Sequence, residues 1–379
     1  MRVSHRGPAS LLMSPGALRA QALVILATLQ LGVAAATTVS TEPERPAPVD
    51  LAMWLADPEA GTPLLGIPTA TTPRTAKAKA PVRRPVTLGL PSVAPVKPKP
   101  ARKKAPAAAA KPVRYIPEGT GMWTYMWKET EGGNAKKGVA KAQAHGLSHL
   151  YVRTGTRKGG FDQGPMLKKL LPATKGTDIK IIAWDFPQLA NPVRDAQRLA
   201  AAANYRVPGA PRVAAVAPDI ETGAEGTKLS AKNVDVYMKT LRRLLPADVA
   251  IIGVTPWPSE KRIGHYPFDT VAKYSDALAP MAYWVNRDPG TVARQTMQRF
   301  AKYGKPVMPI GQAYDPRIDV PTLKYGPPSR EDVTEFLQVA EKHGAPSASL
   351  WVWQFAHQSH WTALRSARPL YDAKQVGKK

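Results

Sequence analysis

From residue 121 to residue 355 the chain alternates short apolar, β-prone runs with stretches whose apolar residues recur at helical spacing. The runs are 121–127, 149–153, 179–184, 213–218, 249–255, 277–283, 306–310 and 349–355. That makes eight, separated by roughly 30 residues, the distance a strand–helix–parallel-strand crossover requires. Between them, Ser230 is placed to cap a helix whose Val234, Met238, Leu241 and Leu245 share one face. Asn191-Pro192 opens another that continues through Ala196, Leu199 and Ala203. Ser329 precedes a helix over 330–343, with Glu331 and Asp332 in its first turn and Gly344 after its end. Helices over 134–145 and 291–303 are followed by Gly146 and Gly304. Eight such units predict an α/β fold, a (β/α)₈ TIM barrel over 116–379. A doubly wound open sheet has the same alternation, but no Gly-rich phosphate loop accompanies it.

The first 115 residues read differently. Arg2, Arg6 and Arg19 give a basic start, and the uncharged run 22–36 ends in Val33-Ala34-Ala35-Ala36, a small-residue cleavage pattern. The 15 residues of that run fall short of the roughly 20 a membrane span needs. Residues 1–36 are therefore expected to be a signal peptide, with an uncleaved anchor as the alternative. Residues 37–115 contain 15 prolines among Ala, Thr and Lys, too little apolar surface to offset chain entropy. A disordered, partly polyproline II linker is expected there. Within it, 71–115 holds twelve Lys or Arg and no Asp or Glu. Such a run attracts polyanions; for an exported chain these are anionic wall polymers rather than nucleic acid, and a solvated spacer is the plainer reading.

The net charge of +25 is carried by both parts, since 116–379 has 37 Lys and Arg against 23 Asp and Glu. Cysteine is absent, which excludes disulfides, thiolate nucleophiles and Cys-ligated metals. His145, His149, His265, His343, His357 and His360 are scattered. Only His357 and His360 are close, at a spacing that suits a solvated helix start better than a ligand pair. No metal and no cofactor is expected. No G-x-S-x-G elbow, P-loop or H-E-x-x-H occurs either.

In a barrel of this kind the chemistry gathers where strands end. The ends of the predicted strands offer Trp123 and Tyr125, Arg153, Asp185, Asp219 and Glu221, Tyr283 and Trp284, Gln312 and Asp315, and Trp353 and Gln354. Aromatic rings and carboxylates at one rim suit a carbohydrate, whose ring faces stack and whose hydroxyls need polar partners. Asp219 and Glu221, one residue apart after the fourth strand, should point the same way. Glu221 would be the general acid at a glycosidic oxygen, and Asp219 the charged partner that orients an acetamido group or stabilises an oxocarbenium-like transition state. Two loop acids, or a charge for the next helix's N-terminus, is the alternative. Asp185 is either a third acid of the site or an Asx-turn residue ahead of Pro187. Tyr283 is either a partner of the acid pair or a core aromatic. Gln312 and Asp315 read as substrate contacts, and Trp353 and Gln354 as the floor of the pocket or as barrel filling.

These motifs resemble two families of barrel glycoside hydrolases, the family 25 lysozyme-type muramidases and the family 18 chitinase-like enzymes. Both carry a D-x-E after the fourth strand, matched by Asp219-Ile220-Glu221. Met281-Ala282-Tyr283 resembles the family 18 sixth strand, and Trp353-Gln354-Phe355 the W-Q-aromatic late in family 25. Trp284 stands where family 18 has an aspartate. The resemblance implies a hydrolase of an amino-sugar polymer, peptidoglycan or a chitin-like glycan, with Glu221 and Asp219 as the residues carried over; with the expected signal peptide, the chain is expected to be secreted or wall-associated, and a monomer. A non-catalytic wall-binding barrel with the same cleft is the alternative.

Overall fold

The computed structural model describes residues 113–376, apart from 224, 258–264 and 319–322. The expected signal peptide (1–36), and all of the expected linker (37–115) except its last three residues, lie outside the described residues. Of those three, Arg114 binds Asp276 at 2.7 Å and Tyr115 packs against the barrel interior.

Eight parallel strands form one sheet: β1 (Gly119–Thr124), β2 (Leu147–Arg153), β3 (Lys180–Asp185), β4 (Ala215–Pro218), β5 (Ala250–Thr255), β6 (Ala277–Pro280), β7 (Ile310–Gln312) and β8 (Ser347–Trp351). Their order is β6-β5-β4-β3-β2-β1-β8-β7. The two edges meet through parallel bridges from Leu278 to Val307 and from Met281 to Ile310, which close the barrel. Each strand is followed by a helix: α1 (Ala135–Ala144), α2 (Gly164–Ala173), α3 (Pro192–Asn204), α4 (Ala231–Leu244), α5 (Phe268–Tyr274), α6 (Pro289–Phe300), α7 (Arg330–Lys342) and α8 (Gln358–Val376). This is the (β/α)₈ TIM barrel that the spacing predicts. A ribbon pairing Gly155–Thr156 with Gly160–Phe161 follows β2.

The caps explain where the helices begin. Asn134, Asn191 and Ser230 each accept a backbone N–H of their first turn. Ser329 and Asp332 form a reciprocal capping box. Gly344, at φ 92°, then turns the chain out of α7 into β8. The His357–His360 spacing marks a helix start at which His357 is exposed and His360 is not. His360 is fully buried, accepting the His357 N–H at 3.0 Å through Nδ1 and donating from Nε2 to the Pro328 carbonyl at 2.8 Å. Its second nitrogen satisfies a carbonyl of a buried residue just before α7.

Alternation divides the strand residues between two cores. Val152, Ile181, Val216, Ile251, Leu278 and Leu350 pack outward against the helices. Trp123, Tyr151, Ile182, Trp184, Met308 and Ile310 fill the lumen, together with alanines 215, 217, 250, 277 and 279. The bulk comes largely from β1 to β3 and the space from β4 to β6. That asymmetry is why the middle strands are written in alanine.

Candidate active site

The carboxylate pair sits just past β4. Asp219 still bridges Val254 of β5, and its N–H donates to the Asp185 carbonyl at 3.0 Å. Ala215 and Ala217 face the lumen and Val216 faces the helices. Ile220, buried in the outer core, continues that alternation and leaves Asp219 and Glu221 on the lumen side, their Cα atoms about 6.8 Å apart along an extended chain. The Tyr266 hydroxyl donates to the Ile220 carbonyl at 2.7 Å, which fixes the backbone between the two acids. Asp219 is 7 % exposed and Glu221 2 %. Among the described residues neither Glu221 oxygen has a hydrogen-bond partner, and neither does Asp219 Oδ1. A third carboxyl, Glu225, is also buried. Its Oε2 accepts the Thr222 N–H at 2.9 Å and the Thr222 hydroxyl, while its Oε1 has no partner among the described residues.

Buried acids without donors resist ionisation. Burial pushes Asp219 up to about 7, helped by the charges of Asp185 and Glu225 and opposed by the Arg153 guanidinium. Burial also pushes Glu221 well above the usual carboxylate range, with the charges of Asp219 and Glu225 adding to it. Once Asp219 is ionised, its charge strengthens the hold of Glu221 on a proton. An anion beside a proton donor at neutral pH is the division of labour that acid catalysis needs.

Aromatic rings surround the lumen mouth. Trp184 and Trp351 meet edge-on at 5.5 Å between centroids, with Tyr125 at 6.3 and 6.1 Å from them. Trp123 lies deeper, stacked on Tyr151 at 4.0 Å, its indole N–H donating to Ser349 at 2.9 Å. Arg153 ends β2 with its guanidinium 4.6 Å from the Tyr125 ring centre and 5.8 Å from that of Trp184. Tyr283 is half-buried and edge-on to Tyr314 at 5.8 Å. Burial, Tyr314 and the acid pair push its hydroxyl well up, so it stays a proton-bearing donor. Gln312 continues the inward parity of Met308 and Ile310. Its Oε1 accepts the Val285 N–H at 2.7 Å and its amide nitrogen has no partner among the described residues.

Five residues expected at the rim point elsewhere. Asp185 has the opposite parity to Trp184, and its carboxylate accepts from Arg198 of α3 at 2.7 Å. Arg198 also binds Asp195 at 2.8 Å and the Phe186 carbonyl at 3.1 Å. Burial pushes Asp185 up to about 6 against the pull of Arg198, so it acts on the pair through its field and does not line the cleft. Trp284 likewise turns outward and packs on Phe336 of α7 at 5.1 Å. Trp353 lies in the helical turn Trp353–Phe355, against Trp361 of α8 at 4.6 Å. Gln354 is saturated by the loop after β1, accepting from the Tyr125 N–H at 3.2 Å and donating to the Met126 carbonyl and the Thr130 hydroxyl. Asp315 holds Arg317 in its own loop at 2.7 Å.

Trp184, Trp351, Tyr266 and Glu225 were not singled out from sequence. Strand alternation carries the signal for the first two, since Trp184 precedes an outward acid and Trp351 precedes an outward-going turn. For Tyr266 and Glu225 no local pattern marks the role.

No family model matches the chain, and no curated protein sequence matches it. Solved structures do match. An endo-1,4-beta-mannanase from Rhizomucor miehei superposes with a TM-score of 0.52 at 8 % identity, covering 71 % of this chain and 99 % of its own. The C-terminal domain of a putative chitinase from Desulfitobacterium hafniense DCB-2 gives 0.49 at 11 %, covering 66 % and 99 %. A family GH18 chitinase from Cycas revoluta gives 0.47 at 11 %, covering 66 % and 99 %. At these identities the likeness is one of fold.

Proposed function

We propose that the barrel is a glycoside hydrolase of an amino-sugar polymer, exported to act on a cell-wall glycan. The observation that carries this reading is the inward-facing pair Asp219 and Glu221, buried, unpartnered and tuned so that one keeps its proton while the other loses it. Glu221 donates its proton to the glycosidic oxygen as the bond to the anomeric carbon breaks. A carboxyl two residues away on the same strand is poorly placed to attack that carbon from the opposite face. The acetamido oxygen of the substrate does so instead, with Asp219 orienting the group and balancing its charge. Water then opens the cyclic intermediate at the anomeric carbon, giving up a proton to Glu221 and restoring the acid. Tyr125 and Trp351, both partly exposed above the buried Trp184, offer ring faces for sugars, and Tyr283 offers a hydroxyl. The mannanase shares the fold, which makes a neutral mannan the comparison substrate.

The test is the purified protein against insoluble peptidoglycan, chitin and mannan, with mass spectrometry of the soluble fraction. Release of N-acetylated oligosaccharides is expected. Binding without release from any of the three would replace this reading with that of a non-catalytic glycan-binding barrel.

A further inference from the structure

A pocket at Arg153 holds charged residues that the catalytic reading does not use. It has a volume of about 140 Å³ and is formed where the loop after β1 faces the ribbon after β2, with Tyr125, Lys128, Arg153, Thr156, Asp162 and Gln163 among its lining. A site for a whole drug-sized ligand runs to roughly 300–1,000 Å³, so this one takes only a part of a glycan. Its chemistry is mostly that of donors. Arg153 has its guanidinium 4.6 Å from the Tyr125 ring centre, and its Nε is buried with no acceptor among the described residues. That nitrogen is shut off from the pocket, so an incoming acceptor would meet the guanidinium through its terminal nitrogens, for which no hydrogen bond is made among the described residues. Lys128 is exposed at the mouth, and the ribbon's turn adds exposed Arg157 and Lys158. The one carboxylate in the lining, Asp162, already accepts from the Gln163 amide at 2.8 Å and from the Thr156 hydroxyl at 3.4 Å.

We propose that this pocket is a subsite for a carboxylate carried by the glycan, so that the polymer the barrel recognises is an acidic one rather than neutral chitin or mannan. The inference rests on reading the lumen mouth as a glycan cleft. Arg153 joins the two sites. It forms the wall of the pocket and lies close enough to Asp219 to favour that residue's ionised form. A carboxylate on Arg153 would therefore hold its sugar next to the acid pair. Guanidinium and carboxylate match as a planar, charge-assisted pair, and the aromatic ring beneath keeps the fork in place.

The test is co-sedimentation of the full chain carrying Glu221→Gln with purified peptidoglycan sacculi, and with the same sacculi after amidation of their carboxyl groups. In that background the polymer is not consumed, and failure of the wild type to release sugar would count against catalysis without touching this comparison. Native sacculi should bind about tenfold more tightly than amidated ones, the worth of one charge-assisted hydrogen bond. Arg153→Met and Lys128→Met should each remove most of that preference. Lys342→Met, which deletes the same charge at the last turn of α7 before β8 begins, should change it by less than about twofold. The basic segment 71–115 is common to all variants and cancels between them. Equal binding to native and amidated sacculi overturns the proposal. So does a preference that Lys128→Met and Lys342→Met alter equally, a result that stands even if Arg153→Met fails to fold.

Discussion

Asp219 concentrates the cost and the use of this site in one side chain. Its carboxyl ionises near 3.9 in an unfolded chain and is raised to about 7 in the barrel, chiefly by burial. A raised acid binds its proton more tightly when folded, so its stabilising effect is complete below pH 4 and is lost as pH climbs through 7. Asp219→Asn should therefore stabilise the protein by about 1–3 kcal/mol at pH 8 and leave it unchanged at pH 4, as read by urea denaturation at the two values. Gly121 illustrates the opposite constraint, one of space. A Cβ at that position would lie 2.1 Å from Nε2 of His149, which is fully buried in the lumen and held neutral, its pKa lowered by burial to about 3. Gly121→Ala should cost about 1–3 kcal/mol in thermal or chemical unfolding, because the ring has nowhere to move.

At the scale of elements, β3 and α3 are tied by a buried network of Asp185, Arg198 and Asp195. Arg198→Met would leave two buried carboxylates without their cation, and a loss of about 3–5 kcal/mol in unfolding free energy is expected. The loss should grow as pH rises past 6, since Asp185 would then have to stay protonated or carry an uncompensated charge. This network also shows what the sequence did not disclose. Apolar run and helical spacing located all eight strands, but not which way each side chain faces at a strand's last residue. Asp185 and Trp284 lie one position off the inward parity, and a single-residue ambiguity in register turns a cleft residue into a helix contact. Trp353 and Gln354 lie beyond the last strand for another reason. The rim is as aromatic as the strand before it, so hydrophobicity runs on past Trp351 while the ladder ends there. Asp219 and Glu221 escaped both problems because they share a parity with Ala215 and Ala217, and small residues there could only face a crowded lumen.

For the whole molecule, the barrel was legible because its repeat is local. Each cap and each helix stripe lies within one strand–helix unit, and eight repetitions restate the same pattern. The site is not local. Its rings come from β1, β3 and β8, its acids follow β4, and Tyr266 reaches back from the approach to α5 to hold Ile220. Such convergence is a property of closure, which no window of sequence contains. The same closure buries Glu221 in a lumen lined by alanine and tryptophan, which raises its hold on a proton, and the proposed chemistry depends on that proton. The most direct measurement is the rate of reducing-end release from the polymer that the wild type degrades, set against that of Glu221→Gln with both melting temperatures recorded. A fall of about 10²- to 10⁴-fold with the melting temperature intact is the predicted result. Undiminished release from a folded Glu221→Gln protein would contradict it.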